Sequence, residues 1–255
     1  MQERITALRE RLAEVGVDGF VSLAPPTNQY LSGFRGTTSA VVVTERDALF
    51  LCDFRYTEQA RSQVRDYAIE EISGRFVAQV GARIARLGIR SVGFEPGYMT
   101  VEELDTLKSG FDGRWSSVGG AVASLRVRKS PEEIDRIRAA SNLAEGVLAD
   151  VTADLEVGTT ERELAARMDY EFKRRGASGP SFDTIALFGA RTSLPHGAPG
   201  ETALAEGDIV LLDFGCLRDG YCSDLTRTYA FATIPTEWFG RIYETTLEAQ
   251  LHALE

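Results

Sequence analysis

Two aspartates, Asp213 and Asp224, lie where the sequence most clearly suggests chemistry. They flank the dipeptide Asp219-Gly220, which favours a two-residue turn between antiparallel strands. With such a turn Asp213 lies opposite Thr226, and the two aspartates project from one face of the hairpin as diagonal neighbours. Diagonal Cβ atoms are about 7 Å apart or less, so the two carboxylates can hold hard cations between them. A one-residue bulge in the turn would place the carboxylates on opposite faces of the hairpin.

The apolar run Leu211–Phe214 surrounds Asp213 and raises the question of what receives its charge. Burying a carboxylate costs free energy unless a metal ion or a set of hydrogen-bond donors compensates it. Alternatives to a metal site stay open. Asp213 can pair with Arg227 or accept hydrogen bonds from backbone donors, and Asp224 can be a solvated acid at a strand end. The Asp-Phe-Gly triplet also occurs in protein kinases, but the sequence lacks their Gly-rich phosphate loop and their His-Arg-Asp loop. The kinase interpretation is therefore excluded.

Histidine is scarce, because the chain has only His196 and His252. Any metal site in this sequence must therefore rely mainly on carboxylates. His196 lies between Pro195 and Gly197, in a loop whose backbone is restrained and whose imidazole is accessible. It is a candidate catalytic residue, although an isolated loop histidine is often only a surface residue. His252 lies in a helical pattern and is interpreted as a surface residue.

The charge balance argues against several classes of partner. The 255 residues include 38 acidic and 28 basic side chains, a formal net charge of −10 that repels phosphate backbones and anionic lipid. We therefore expect no nucleic-acid partner and no membrane partner. No apolar run approaches the roughly 18–20 residues of a membrane span, and the N-terminus has no apolar signal core. The three cysteines form no Cys-x-x-Cys pair and indicate a reducing compartment, so a cytoplasmic location is expected.

Residues 1 to about 120 alternate short β-branched runs with amphipathic helical patterns, which favours an α/β layer domain. The predicted strands are Phe20–Leu23, Ala40–Thr44, Leu49–Cys52, Ala68–Glu71 and Ser91–Phe94. The predicted helices are Phe54–Val64, Phe76–Leu87 and Val101–Ser109, the last with a capping box formed by Thr100 and Glu103.

A new helical start at Ser130 indicates a second domain. Ser130 is a good N-cap, Pro131 suits the first helical position, and Glu133 completes a capping box. We therefore predict two domains, residues 1–125 and 126–255. The second domain is predicted to contain helices over about 131–155 and 160–176, then strands Thr184–Phe188, Asp208–Leu217 and Tyr221–Phe231, and a last helix from Pro235.

An ordered set of short motifs resembles one family, the pita-bread metallopeptidases of the Xaa-Pro aminopeptidase and prolidase type. Each motif is weak alone, but together they cover nearly the whole chain in the expected order. The motifs are Asn28–Phe34 and Asp53–Ala60 in the first domain, and Ser181–Ile185, Pro195–Gly197, Asp213–Gly215 and Ser223–Thr228 in the second. The resemblance implies an α/β creatinase/prolidase-like N-terminal domain, followed by the first half of an α+β pita-bread catalytic domain.

The resemblance also implies roles for individual residues. Asp213 would chelate or bridge one of two divalent ions (Mn, Co or Zn), and Asp224 would bridge both. His196 would donate to the scissile carbonyl, while Phe182 and Thr226 would line the substrate site. Two metal ions would lower the pKa of a bridging water. The implied substrates are short peptides with proline at the second position, and the implied assembly is a homodimer or a higher oligomer.

One departure from the family pattern affects the expected activity. The family uses five protein ligands, and the last three lie downstream of any position in this sequence, which ends at Glu255. We therefore expect this chain to be inactive and to bind metal weakly or not at all. Methionine aminopeptidases generally lack the N-terminal domain, and creatinase-like relatives lose the metal ligands, so both fit less well. A non-catalytic peptide- or protein-binding relative of the same fold remains the alternative.

Overall fold

A six-stranded mixed sheet organises Met1–Lys129, the first of two compact units into which the chain divides. The computed structural model describes every residue from Met1 to Glu255. The strands are β1 (Gly19–Ser22), β2 (Ala40–Thr44), β3 (Ala48–Cys52), β4 (Ala68–Glu71), β5 (Ser91–Phe94) and β6 (Arg114–Ser117). They lie in the order β4-β3-β2-β1-β5-β6, in which β2 is antiparallel to both neighbours and the other pairs are parallel.

Helices cover both faces of this sheet. Phe20 of β1 packs with Ile5 on one face, and the next residue, Val21, packs with Val80 on the other. Because successive side chains of a strand point to opposite faces, a strand covered on both sides is apolar throughout. The helices are α1 (Gln2–Glu14), α2 (Pro25–Ser32), α3 (Thr57–Gln63), α4 (Phe76–Ala85), α5 (Val101–Gly110) and α6 (Ala121–Arg126).

The predicted elements of the first unit are largely confirmed. Three strands, Ala40–Thr44, Ala68–Glu71 and Ser91–Phe94, match to the residue, and α5 begins with the predicted capping box. The predicted helix Phe54–Val64 is too long, because a turn at Asp53 precedes the observed start of α3. The sequence analysis missed α2, β6 and α6. Helix α2 opens with two prolines, which suggest a loop but are tolerated in the first turn, where the missing N–H needs no partner.

The second unit, Ser130–Glu255, builds two small antiparallel sheets beneath two long helices. Its helices are α7 (Pro131–Ala153), α8 (Glu161–Arg174) and α9 (Glu237–Leu254), with a 3-10 helix at Gly189–Ser193. Its strands are β7 (Gly179–Pro180), β8 (Ile185–Phe188), β9 (Ile209–Phe214), β10 (Cys216–Arg218), β11 (Tyr221–Cys222) and β12 (Leu225–Ala230). One sheet has the order β12-β9-β8 and the other β11-β10-β7.

Strand β9 separates a covered face of its sheet from an open one. Val210, Leu212 and Phe214 are buried in the core that α7 and α8 complete, while Leu211 and Asp213 alternate with them and are only half-buried. Since side chains alternate along a strand, these two residues project from the face that the helices do not cover. The candidate metal ligand Asp213 therefore lies on the open face.

The predicted hairpin turn and its register are confirmed. Asp219 and Gly220 have φ values of 51° and 80°, the two positive angles that a type I′ turn requires. Asp213 lies opposite Thr226, so no bulge shifts the two strands relative to each other.

The hairpin is nevertheless divided between the two sheets. The predicted strands Asp208–Leu217 and Tyr221–Phe231 are each interrupted, one at Gly215 and the other at Ser223–Asp224, so the prediction of two continuous strands is wrong. The two backbones cross there so closely that a Cβ atom on Gly215 would lie 1.9 Å from the carbonyl oxygen of Ser223. Only glycine can occupy this crossing without moving backbone.

None of the helices combines the length and the apolar character needed to cross a membrane.

The crossing at Gly215 predicts a large cost for one added methyl group. We expect Gly215→Ala to lower the free energy of unfolding by about 3 kcal/mol, because the backbone of Ser223 must move to admit it. The matched control is Gly146→Ala within α7, where the nearest atom to the new methyl is the flexible guanidinium of Arg175 at 3.4 Å. The control should be neutral or stabilising by up to about 1 kcal/mol. Urea unfolding measures both, and equal stability of the two variants would contradict the prediction.

Candidate functional site

Asp213 lies on the open face of the three-stranded sheet, near the end of its central strand, β9. Residues paired across antiparallel strands share a face, so Ile185 of β8 and Thr226 of β12 flank it on either side. The Thr226 hydroxyl donates to Asp213 Oδ1 at 3.0 Å. Leu211 occupies the same face two residues earlier along β9. The carboxylate therefore emerges from a surface that is otherwise apolar or hydroxylic.

Arg227 does not neutralise Asp213. Its Nη2 lies 3.4 Å from Oε1 of Glu145 in α7, and its Nη1 donates to the carbonyl of Thr226. Arg227 pairs with Leu212 across the strands, so it points to the helix-covered face. The alternative in which Asp213 forms an ion pair with Arg227 is therefore wrong. Asp213 is left with one hydroxyl donor and no basic partner.

Asp224 lies at the kink between β11 and β12, and its side chain is exposed. The backbone on either side is fixed, because Ser181 Oγ donates to the carbonyl of Ser223 at 2.6 Å and Ser223 Oγ accepts from the amide of Cys216 at 3.0 Å. The carboxylate itself takes part in no ion pair. Partial burial raises the pKa of the neighbouring Cys222 thiol, and the negative charge of Asp224 raises it further.

The loop that carries His196 rests on the same open face as Asp213. The imidazole is exposed, but the next residue, Gly197, is buried against Leu187, where a Cβ atom would lie 2.7 Å from the leucine Cδ1. Leu187 pairs with Leu211 of β9, so it belongs to the face that bears Asp213. The structure thus brings a loop histidine and a carboxylate without a basic partner to one surface.

Phe182 lies in the segment that joins β7 to β8 and is half-buried. The preceding residue, Ser181, binds the backbone of both strands at the crossing, through the carbonyls of Gly215 and Ser223. Phe182 therefore directly follows the residue that contacts the kink carrying Asp224. The sequence motif predicts that Phe182 lines the substrate site, and the contacts of Ser181 with the kink agree with that prediction.

One buried residue near the site was missed in the sequence analysis. Glu161 is the first residue of α8, yet its side chain is fully buried and accepts hydrogen bonds from the amides of Phe188 and Gly200, at the two ends of the His196 loop. Acidic residues are common in the first turn of a helix, where they are usually exposed. No sequence signal separated Glu161 from that ordinary case.

Comparison with known proteins places both halves of the chain. Residues 4–128 match the creatinase/prolidase N-terminal domain, and residues 135–255 match metallopeptidase family M24. An uncharacterised peptidase of Bacillus subtilis is 33% identical over 248 residues, covering 97% of this chain and 70% of that protein.

Two solved structures share the fold over nearly the whole chain. An Xaa-Pro dipeptidase from Bacillus anthracis is 34% identical with a TM-score of 0.93, covering 98% of this chain and 70% of that one. An X-Pro aminopeptidase from Thermotoga maritima is 29% identical with a TM-score of 0.88, covering 96% of this chain and 71% of that one.

The chain therefore belongs to metallopeptidase family M24, in the group that carries a creatinase/prolidase N-terminal domain before the peptidase domain. The predicted family, fold class and enzyme class are confirmed. Membership of a metallopeptidase family implies divalent metal cofactors. The chain spans about 70% of the length of these relatives.

The two candidate metal ligands are chemically suited to a divalent cation. Asp213 and Asp224 offer hard carboxylate oxygens, which are the ligands that such ions prefer, and neither is neutralised by a basic side chain. The structure contains no group of three or more His, Cys, Asp or Glu side chains that could hold a metal ion. The donor set available here is thus a pair of carboxylates from one hairpin.

The contact beneath the His196 loop predicts a specific effect of Gly197→Ala. The added methyl would push against Leu187 and lift the loop from the sheet, so the NMR signal of the His196 ring should shift. His252, the only other histidine, lies in α9 and supplies an internal reference that should not move. Ser193→Ala, an exposed change in the same loop, is the control. An unshifted His196 signal in Gly197→Ala would show that the loop does not depend on this contact.

Proposed function

We propose that this chain supplies metal ligands and the substrate-facing histidine for hydrolysis of the peptide bond that precedes proline. The observation that supports this most directly is the shared open face of Asp213 and the His196 loop, in a chain of a metallopeptidase family. The similar structures are an Xaa-Pro dipeptidase and an X-Pro aminopeptidase. The proposed substrates are short peptides with proline at the second position.

Each proposed site residue has a distinct task. Asp213 and Asp224 would be ligands of two divalent ions, for which Mn, Co and Zn are the candidates. Such ions, when bound, lower the pKa of a water molecule and polarise the scissile carbonyl. His196 donates a hydrogen bond to that carbonyl, and its exposed position leaves the imidazole free to reach a peptide. Thr226 and Phe182 contact the substrate, while the Thr226 hydroxyl also orients Asp213.

We further propose that residues 1–255 by themselves bind divalent ions weakly and do not turn over peptide. Two carboxylates leave most coordination positions of a hard cation to water, so the protein contributes only part of the binding free energy. The exposed, unpaired Asp224 also supports the alternative, a non-catalytic peptide- or protein-binding relative. Such a binding module needs no metal, so a metal-dependent signal at the open face separates the two functions.

Paramagnetic Mn²⁺ tests the proposed site even when binding is weak. We expect Mn²⁺ to broaden the NMR signals of the Thr226 amide and the His196 ring selectively, because both lie on the face of Asp213. Asp213→Asn keeps the shape of the side chain and removes its charge, so it should abolish the selective broadening. Glu206→Gln, an exposed change elsewhere in the second unit, is the matched control and should retain it.

Broadening that is uniform over the surface, or unchanged in Asp213→Asn, would reject the metal site and favour the binding module.

The same protein samples can be assayed for peptidase activity, with Ala-Pro as the substrate and added Mn²⁺. We expect no hydrolysis by the wild-type chain. Turnover that disappears in the identically purified Asp213→Asn protein would show that the chain is active alone, which would contradict the proposed inactivity but support the role of Asp213.

We also propose that the chain forms a homodimer or a higher oligomer. Helix α9 buries none of its residues and exposes a series of large apolar side chains, Trp238, Ile242, Leu247, Leu251 and Leu254. Apolar surface of this extent on one helix is typical of an interface between chains. Light scattering should therefore give a mass above 27.9 kDa at micromolar concentration, and Leu247→Glu should reduce it. A concentration-independent monomer would reject this proposal.

A further inference from the structure

The carboxylate of Glu161 joins the two ends of the loop that carries His196. Its Oε1 accepts the amide of Phe188 at 2.9 Å, where β8 ends and the loop begins. Its Oε2 accepts the amide of Gly200 at 2.8 Å, four residues beyond His196. One buried side chain therefore fixes both the start and the end of this segment.

Arg191 extends the same contact into the loop. Its Nε lies 3.0 Å from each oxygen of Glu161, and its Nη2 donates to the carbonyl of Ala198 at 2.7 Å. Ala198 is only two residues beyond His196. The guanidinium thus connects the buried carboxylate to the backbone beside the histidine, with the planar geometry that only arginine provides.

These four donor contacts explain how a fully buried carboxylate is tolerated. A buried charge is costly unless it is paired and hydrogen-bonded, and hydrogen bonds to a charged acceptor are stronger than neutral ones. Glu161 also lies at the N-terminus of α8, where the helix dipole favours negative charge. Both carboxylate oxygens therefore act as acceptors, and each has more than one donor.

The start of α8 does not itself require the Glu161 side chain. Thr160 and Glu163 already form a complete capping box there. The Glu161 amide donates to Thr202, and the Arg162 amide donates to Gly200, both through backbone groups. The side chain of Glu161 makes its contacts with the His196 loop rather than with its own helix.

We propose that Glu161 and Arg191 are positioning residues, which hold His196 over the open face that bears Asp213. The inference rests on the proposed function only in taking His196 as the substrate-facing histidine. The segment Leu194–His196 is exposed, and near the histidine only Gly197 is buried against the sheet. The location of the imidazole therefore depends on how the ends of the loop are fixed.

The test compares Glu161→Gln with Glu163→Gln. Both remove one negative charge from the first turn of α8, but Glu163 is exposed and contacts only Thr160. We expect amide hydrogen exchange across the segment from Phe188 to Gly200 to accelerate roughly tenfold or more in Glu161→Gln, because hydrogen bonds to a charged acceptor are lost. The His196 ring signal should shift, while that of His252 stays in place. Glu163→Gln should change neither.

Selective Mn²⁺ broadening adds a readout that mere loosening of the fold would not produce. In Glu161→Gln the broadening of the His196 ring should fall several-fold, while that of the Thr226 amide, next to Asp213, should persist. If the wild type shows no selective broadening, the proposed metal site fails, and hydrogen exchange with the His196 signal still decides the positioning role.

Arg191→Lys is a second test variant, which can be used if Glu161→Gln fails to fold. Lysine keeps the charge beside Glu161 but cannot contact both the carboxylate and the Ala198 carbonyl in one plane. A shifted His196 signal with faster exchange in this variant supports the proposal. The proposal would be overturned if folded Glu161→Gln shows the same loop exchange and the same His196 signal as the wild type. If Glu161→Gln does not fold, the same result in Arg191→Lys would overturn it.

Discussion

The alternation of side chains along β9 is the constraint on which the candidate site depends. The core beneath α7 and α8 contains Val210, Leu212 and Phe214, and each of these side chains is almost completely buried. With these residues fixed, Asp213 must project from the opposite face, because a shift of one residue would place the carboxylate in the core and the apolar residues in water. The large free energy of apolar burial therefore determines where the much weaker polar interactions of the site are made.

The sequence contains enough information to predict this register but not the crossing beside it. Asp219-Gly220 has one favoured turn geometry, and the pairing of Asp213 with Thr226 follows from it. The interruption at Gly215 depends on a close approach to the Ser223 backbone, a contact between strands that no local pattern reports. For the same reason Glu161 was missed. Its role is set by the amides of Phe188 and Gly200, which are distant in sequence. Local signals such as caps and turns were predictable, whereas contacts between separate segments were not.

Two carboxylates of the second unit differ sharply in how their charge is compensated. Glu161 is fully buried and receives two backbone amides and a guanidinium, so its ionised form is already satisfied by the protein. Asp213 is half-buried among apolar neighbours and receives one hydroxyl. A carboxylate in partly apolar surroundings with few donors retains capacity for a further positive partner. Glu161 is therefore suited to fixing structure, and Asp213 to binding a ligand.

The same contrast explains how the open face can be both rigid and receptive. Asp213 is fixed by strand pairing, and the His196 loop is fixed at its ends by Glu161, so neither group must be ordered when a ligand arrives. Groups that folding has already placed lose little conformational entropy on binding, and more of the interaction free energy is then expressed as affinity or catalysis. The Thr226 hydroxyl is the side chain that donates to Asp213, and it would share the carboxylate with a cation bound there as proposed. Because a neutral hydroxyl competes only weakly with a divalent ion for a carboxylate, this contact orients the side chain without satisfying its charge.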